Sequence, residues 1–136
     1  MSATWSPTFM PEKLNGSALE HLLPALVGLN ENFLKTHQQT PLLYSSGVRY
    51  MAEPRGQEKW LTIPFVLKQR FGDCEDLSAW RAAELRVRGE NAKCVWTYRK
   101  TPRGNLYHIR VQRGNGMIED PSLLLGMPVK RKRVNQ

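Results

Sequence analysis

A thiol, an imidazole and a carboxylate stand in this chain in the order Cys74, His108, Asp120. Cys74 lies in the string Phe71-Gly72-Asp73-Cys74-Glu75-Asp76-Leu77, directly ahead of a helical pattern. His108 falls in an alternating run, and Asp120 closes another just before Pro121. Nucleophile, general base and orienting acid follow one another this way in thiol acyl-transfer sites. Asp73 fits a helix N-cap, and Asp76, three residues later, fits the return half of a capping box. Cys74 would then be the first helical residue, where unpaired N–H groups and the positive helix end favour a thiolate and supply oxyanion donors. Asp73, Glu75 and Asp76 act the other way, because negative charge raises a thiol pKa. An ionised Cys74 therefore requires His108 beside it.

The hairpin carrying His108 tests the third residue. If Arg113-Gly114-Asn115 is a three-residue loop with Gln112 facing Gly116, His108 comes directly opposite Asp120, with Cβ atoms about 5 Å apart. A loop one residue longer or shorter breaks that pairing. Taken singly, each residue has a plain structural role: a buried cysteine, a strand histidine with a local hydrogen bond, a strand terminator. Order, spacing and register together carry the catalytic reading. Cys94, in a strand pattern, reads as a small buried hydrophobe.

The elements that must position these groups follow from periodicity. Ser17 can cap a helix to about His37, with Leu19, Leu22, Leu23, Leu26, Leu29, Phe33 and Leu34 on one stripe, and Pro24 marking a kink or a late start. Residues 40–53 read as extended, broken at Ser45-Ser46-Gly47. Trp60, Ile63, Leu67 and Phe71 recur at helical spacing, and Pro64 requires that helix to begin near Thr62. The Cys74 helix should end at Gly89 and pack through Ala79, Trp80, Ala83 and Val87. Cys94, Trp96 and Tyr98 alternate with polar neighbours, as do Tyr107, Ile109 and Val111, with turns at Thr101–Gly104 and Arg113–Gly116. The expected fold class is α+β: N-terminal helices, with the Cys-bearing helix packed on a C-terminal antiparallel sheet.

With 136 residues, 40% hydrophobic and 24% charged, the chain suits one globular domain. Residues 1–16 read as an irregular arm, 17–128 as the domain and 129–136 as a basic tail. The net charge of +8 favours acidic partners. The basic residues Arg49, Arg55, Lys59, Lys68, Arg70, Arg81 and Arg86 are spread out, so a nucleic-acid interface would be unspecific. Lys130–Arg133 reads as a solvated end. No secretory signal or membrane-length apolar run occurs, and two cysteines make no disulfide framework; both are expected free, after synthesis in a reducing cytoplasm.

Residues 66–122 resemble the transglutaminase-like branch of the papain-like cysteine enzymes through Gly72, Cys74, Asp76, Leu85, Gly89, His108, Asp120 and Pro121. The string from Leu43-Tyr44 through Gly47-Val48-Arg49-Tyr50 to Trp60 is similar to small phage-encoded members. The resemblance implies a papain-like core with Cys74 as nucleophile, His108 as general base and acid, and Asp120 orienting His108. It implies no cofactor and no metal. Tyr50 and Trp60 are placed as oxyanion or substrate-binding candidates, together with Asp76. The expected activity is hydrolysis or acyl transfer at peptide or glutamine amide bonds. The expected partners are a protein substrate or other virion proteins, with no membrane and with oligomers only inside an assembly. The expected location is the host cytoplasm, then the virion. The other reading is a non-catalytic head, neck or tail component that uses the same fold as a scaffold.

Overall fold

A computed structural model describes residues 16–53 and 59–129. The expected arm and basic tail lie outside the described residues except for Gly16 and Val129. Helix α1 spans Gly16–Thr36 and runs through Pro24, so a late start is excluded. Leu19, Leu23 and Leu26 of the expected stripe are buried, joined by Val27 and Asn30. Asn30 is the polar exception with a reason: its Oδ1 accepts the Ile63 N–H at 3.0 Å, tying α1 to the next helix.

A single 3-10 turn, Leu43–Ser45, and a two-residue strand β1, Arg49–Tyr50, occupy the segment expected to be extended. Helix α2, Ile63–Gln69, begins after Thr62 with a proline in its first turn, as the position of Pro64 requires. It ends at Arg70, whose φ of 76° turns the chain out of the helix. Phe71, expected on the α2 face, instead enters strand β2, Phe71–Gly72, which pairs in parallel with β1.

Helix α3, Cys74–Val87, starts at Asp73 through the expected capping box, and Gly89 lies beyond its end at φ 92°. Gly72 lets the helix approach closely, since a Cβ there would lie 3.1 Å from Asp76 Cβ and 3.2 Å from Leu77 Cδ2. The burial of α3 is wider than the expected arc. Ala79, Ala82, Ala83 and Leu85 join α1, Ile109 and Val111 in one apolar cluster. Leu77 and Trp80 join Leu43, Val48, Leu61, Ile63, Val66 and Leu125 in a second. Val87 is a correction: it is 41% exposed, because the helix has left the core by its last residue.

Strands β3 (Lys93–Thr101), β4 (Gly104–Gln112) and β5 (Ile118–Glu119) form an antiparallel sheet in the order β3-β4-β5, followed by the short helix α4, Pro121–Leu124. Ile109 and Val111 are buried as alternation requires, while Tyr98 stands exposed against Tyr107. The β4–β5 register differs from expectation. Gln112 pairs with Ile118, not Gly116. Arg113 N–H bonds Met117 O at 2.7 Å, and Asn115 Oδ1 accepts the Met117 N–H. Arg113 is also held by Glu90 and Glu119, which fixes the longer loop.

Candidate active site

Cys74 sits at the junction of α3 and β4, 8% exposed. Its thiol takes a hydrogen bond from the Ile109 backbone N–H. One turn along, Ser78 Oγ donates to Ile109 O at 3.0 Å. The first two turns of α3 thus hold both backbone groups of the residue next to His108. Because the Ile109 nitrogen is bonded to the His108 carbonyl carbon, the sulfur lies one hydrogen bond and two covalent bonds from His108 Cα.

His108 Nε2 is 2.7 Å from Asp120 Oδ2, with side-chain exposures of 30% and 14%. The contact forms although the expected register does not. Continuing the observed pairing sets Arg110 opposite Asp120 and makes His108 the diagonal neighbour, on the same sheet face because the shift is even. The carboxylate divides its oxygens: Oδ2 holds the imidazole, and Oδ1 caps α4 by accepting the Ser122 and Leu123 N–H groups. Asp120 is both strand terminator and histidine partner. With Nε2 engaged, Nδ1 is the ring nitrogen left for a second partner.

The electrostatics at Cys74 oppose ionisation. Burial pushes its thiol well above the usual range, Glu75 and Asp73 add to that, and the Ile109 N–H works against them. The first-turn amides expected as oxyanion donors are already engaged. Asp73 Oδ1 accepts Cys74 N–H at 2.7 Å, the Asp73 carboxylate also takes the Asp76 N–H, and the Glu75 carboxylate bonds its own N–H. Asp73 Oδ2 further accepts the Glu53 N–H at 3.0 Å.

The remaining candidates separate by environment. Tyr50 is half-buried and senses the charges of Asp73, Cys74, Glu75 and Asp120; burial and those charges push its phenol up. Trp60 is fully buried in the core. Asp76 is buried, with Oδ1 accepting Leu61 N–H at 2.8 Å and Oδ2 accepting Asp73 N–H at 3.2 Å, so it clamps two loop amides around the helix start. Cys94 is free, like Cys74, and burial pushes its thiol up to about 12.

Sequence reasoning missed four contributors. Ser78 and the Ile109 backbone carry no signal beyond their place on a helix and a strand. Glu75, read only as one of three acids around Cys74, is buried, with Oε2 lacking a hydrogen-bond partner among the described residues. Glu119 reads as an extra charge beside Asp120, yet it points to the other side and meets Arg81 Nε at 2.7 Å and Arg113 Nη1 at 2.9 Å. Comparison with protein-family models, with curated proteins and with solved structures finds no match in any of the three.

Proposed function

We propose that the chain is a transglutaminase-like cysteine hydrolase or acyltransferase, phage-encoded and virion-associated, acting on peptide or glutamine amide bonds through Cys74, His108 and Asp120. The observation that carries this reading is the 2.7 Å His108–Asp120 pair on the residue adjacent to the Ile109 amide that bonds the Cys74 thiol. With Nε2 on Asp120, Nδ1 takes the thiol proton as sulfur attacks the amide carbon. The tetrahedral intermediate collapses to a thioester when His108 returns that proton to the leaving nitrogen. Water or an amine then releases the acyl group, giving hydrolysis or transamidation. Productive binding requires Asp73 to free the Cys74 N–H for the oxyanion. The phage setting rests on the sequence resemblance of residues 43–60.

A specific observation also favours the second reading, a structural virion protein: the thiol is buried among carboxylates and held neutral at rest. Cys74→Ser separates the two. In an enzyme it abolishes iodoacetamide labelling at this position and turnover of a glutamine-amide or peptide substrate, while the melting temperature stays within about a few degrees. If the unaltered protein labels at Cys74 no faster than at Cys94, and a Cys74→Ser phage assembles and infects normally, the catalytic reading fails.

A further inference from the structure

We propose that Asp73, Cys74 and Glu75 form a binding site for a thiophilic divalent cation of the zinc class, and that occupancy takes the Cys74 sulfur out of acyl-transfer chemistry. One ligand atom from each residue, two carboxylate oxygens and Sγ, lies within 4.8 Å of the other two. Zinc holds oxygen at about 2.0–2.2 Å and sulfur at about 2.3 Å, so tetrahedral ligands stand under about 4 Å apart. Binding would draw the three ligand atoms together from the observed spacing.

Proximity of acids at a helix start would not by itself make a site. The independent observation is Glu75, 4% exposed, whose Oε2 is buried without a hydrogen-bond partner among the described residues. Native structures satisfy such an oxygen with a donor, a proton or a cation, because an ionised carboxylate left dry and unpaired is costly. Glu75 also feels the negative charges of Asp76, Asp73 and Glu53, which a divalent ion would offset together. The positive end of α3 opposes a cation, but its first-turn amides are already engaged by the Asp73 and Glu75 carboxylates.

The donor set selects the metal. Magnesium and calcium take oxygen ligands, whereas one sulfur with two carboxylates suits zinc or its cobalt substitute. Binding replaces the S–H proton with a metal–sulfur bond and releases one proton to solvent. Three protein ligands leave one coordination position for water. The site stands whether or not the chain is an enzyme; the inhibitory consequence rests on the acyl-transfer reading above.

The test uses the full chain, freed of metal with a chelator and titrated with cobalt(II) chloride. Expected are one equivalent bound, a thiolate-to-cobalt charge-transfer absorption, its displacement by zinc chloride, and protection of Cys74 from iodoacetamide. Cys74→Ser should lose the band, Cys94→Ser should keep it, and Glu75→Gln should weaken binding at least about tenfold with unchanged circular dichroism. Should Glu75→Gln fail to fold, Asp73→Asn, which keeps a capping oxygen, is held to the same tenfold criterion. The site is ruled out by absence of the band, by a band that survives Cys74→Ser, or by unweakened binding in the folded carboxamide variant. Cobalt binding through Cys74 in a protein that turns over no amide would keep the site and remove the enzyme. Rapid His108-dependent alkylation with no cobalt band would do the reverse.

Discussion

Asp120 accepts from two α4 amides with one oxygen and holds the imidazole with the other, so its two functions can be parted by chemistry. Asp120→Asn keeps an oxygen that caps α4 but loses the ionic partner that fixes the histidine tautomer. The expected outcome is a melting temperature within about a few degrees of the unaltered protein and at least a tenfold-order (about one decade) slower reaction of Cys74 with iodoacetamide. An unchanged rate would reduce Asp120 to a capping residue. The places of Cys74 at the start of α3, His108 in a strand and Asp120 after β5, and the Asp73–Asp76 capping box, were legible because each follows from local pattern. That the same box leaves the Cys74 and Asp76 amides engaged is its local consequence. The burial of Glu75 was not legible, because it depends on what packs over the helix start, where the Glu53 and Leu61 backbone bonds Asp73 and Asp76 from another part of the chain.

Local turns and close approaches decide the elements. Gly72 admits α3 against β2 and α2, and Gly72→Ala would drive a methyl into Asp76, Leu77 and Val66. A loss of about 1–3 kcal/mol in denaturant unfolding is expected, since the neighbours are packed side chains of the core. Strand β5 is held to α3 electrostatically. Burial alone would raise the Glu119 carboxyl, but the Tyr44 hydroxyl, Arg81 and Arg113 outweigh it and hold the group below the usual range. A depressed folded pKa stabilises above the unfolded value of about 4.3 and is lost as pH falls through the folded value. Glu119→Gln should therefore melt about a few degrees lower at pH 7, with the gap closing below about pH 4. A gap of equal size at both pH values would assign the effect to packing. The helices and the meander were readable from periodicity; the hairpin register was not. Three-residue and five-residue loops both satisfy the alternation, and the choice falls to Arg113, which reaches Glu90 across 23 positions of sequence.

Across the whole molecule, α3 belongs to both apolar clusters, giving each a wall it cannot keep alone. Unfolding should then be one event. Far-ultraviolet circular dichroism and tryptophan fluorescence, the latter reporting on Trp60 in the first cluster and Trp80 in the second among its sources, should give coincident thermal transitions. Two separated midpoints would show that the clusters come apart independently. The α+β class was visible in the order of helical and alternating patterns. The parallel β1–β2 pair was not, because two-residue strands carry no periodic signal and exist only where tertiary contacts bring Arg49 beside Phe71.

The grip of Cys74 and Ser78 on Ile109 has a consequence for solubility. Strand β5 pairs with β4 only at Val111 and Gln112, leaving the stretch near Ile109 without a neighbouring strand on that side among the described residues. An open strand margin of this kind templates pairing with other molecules. Two side chains from a helix take the place of the missing strand, one accepting the N–H and one donating to the carbonyl. The sulfur proposed to attack an amide is therefore also a stopper on a sheet margin, and any chemistry that pulls it away uncovers a sticky edge.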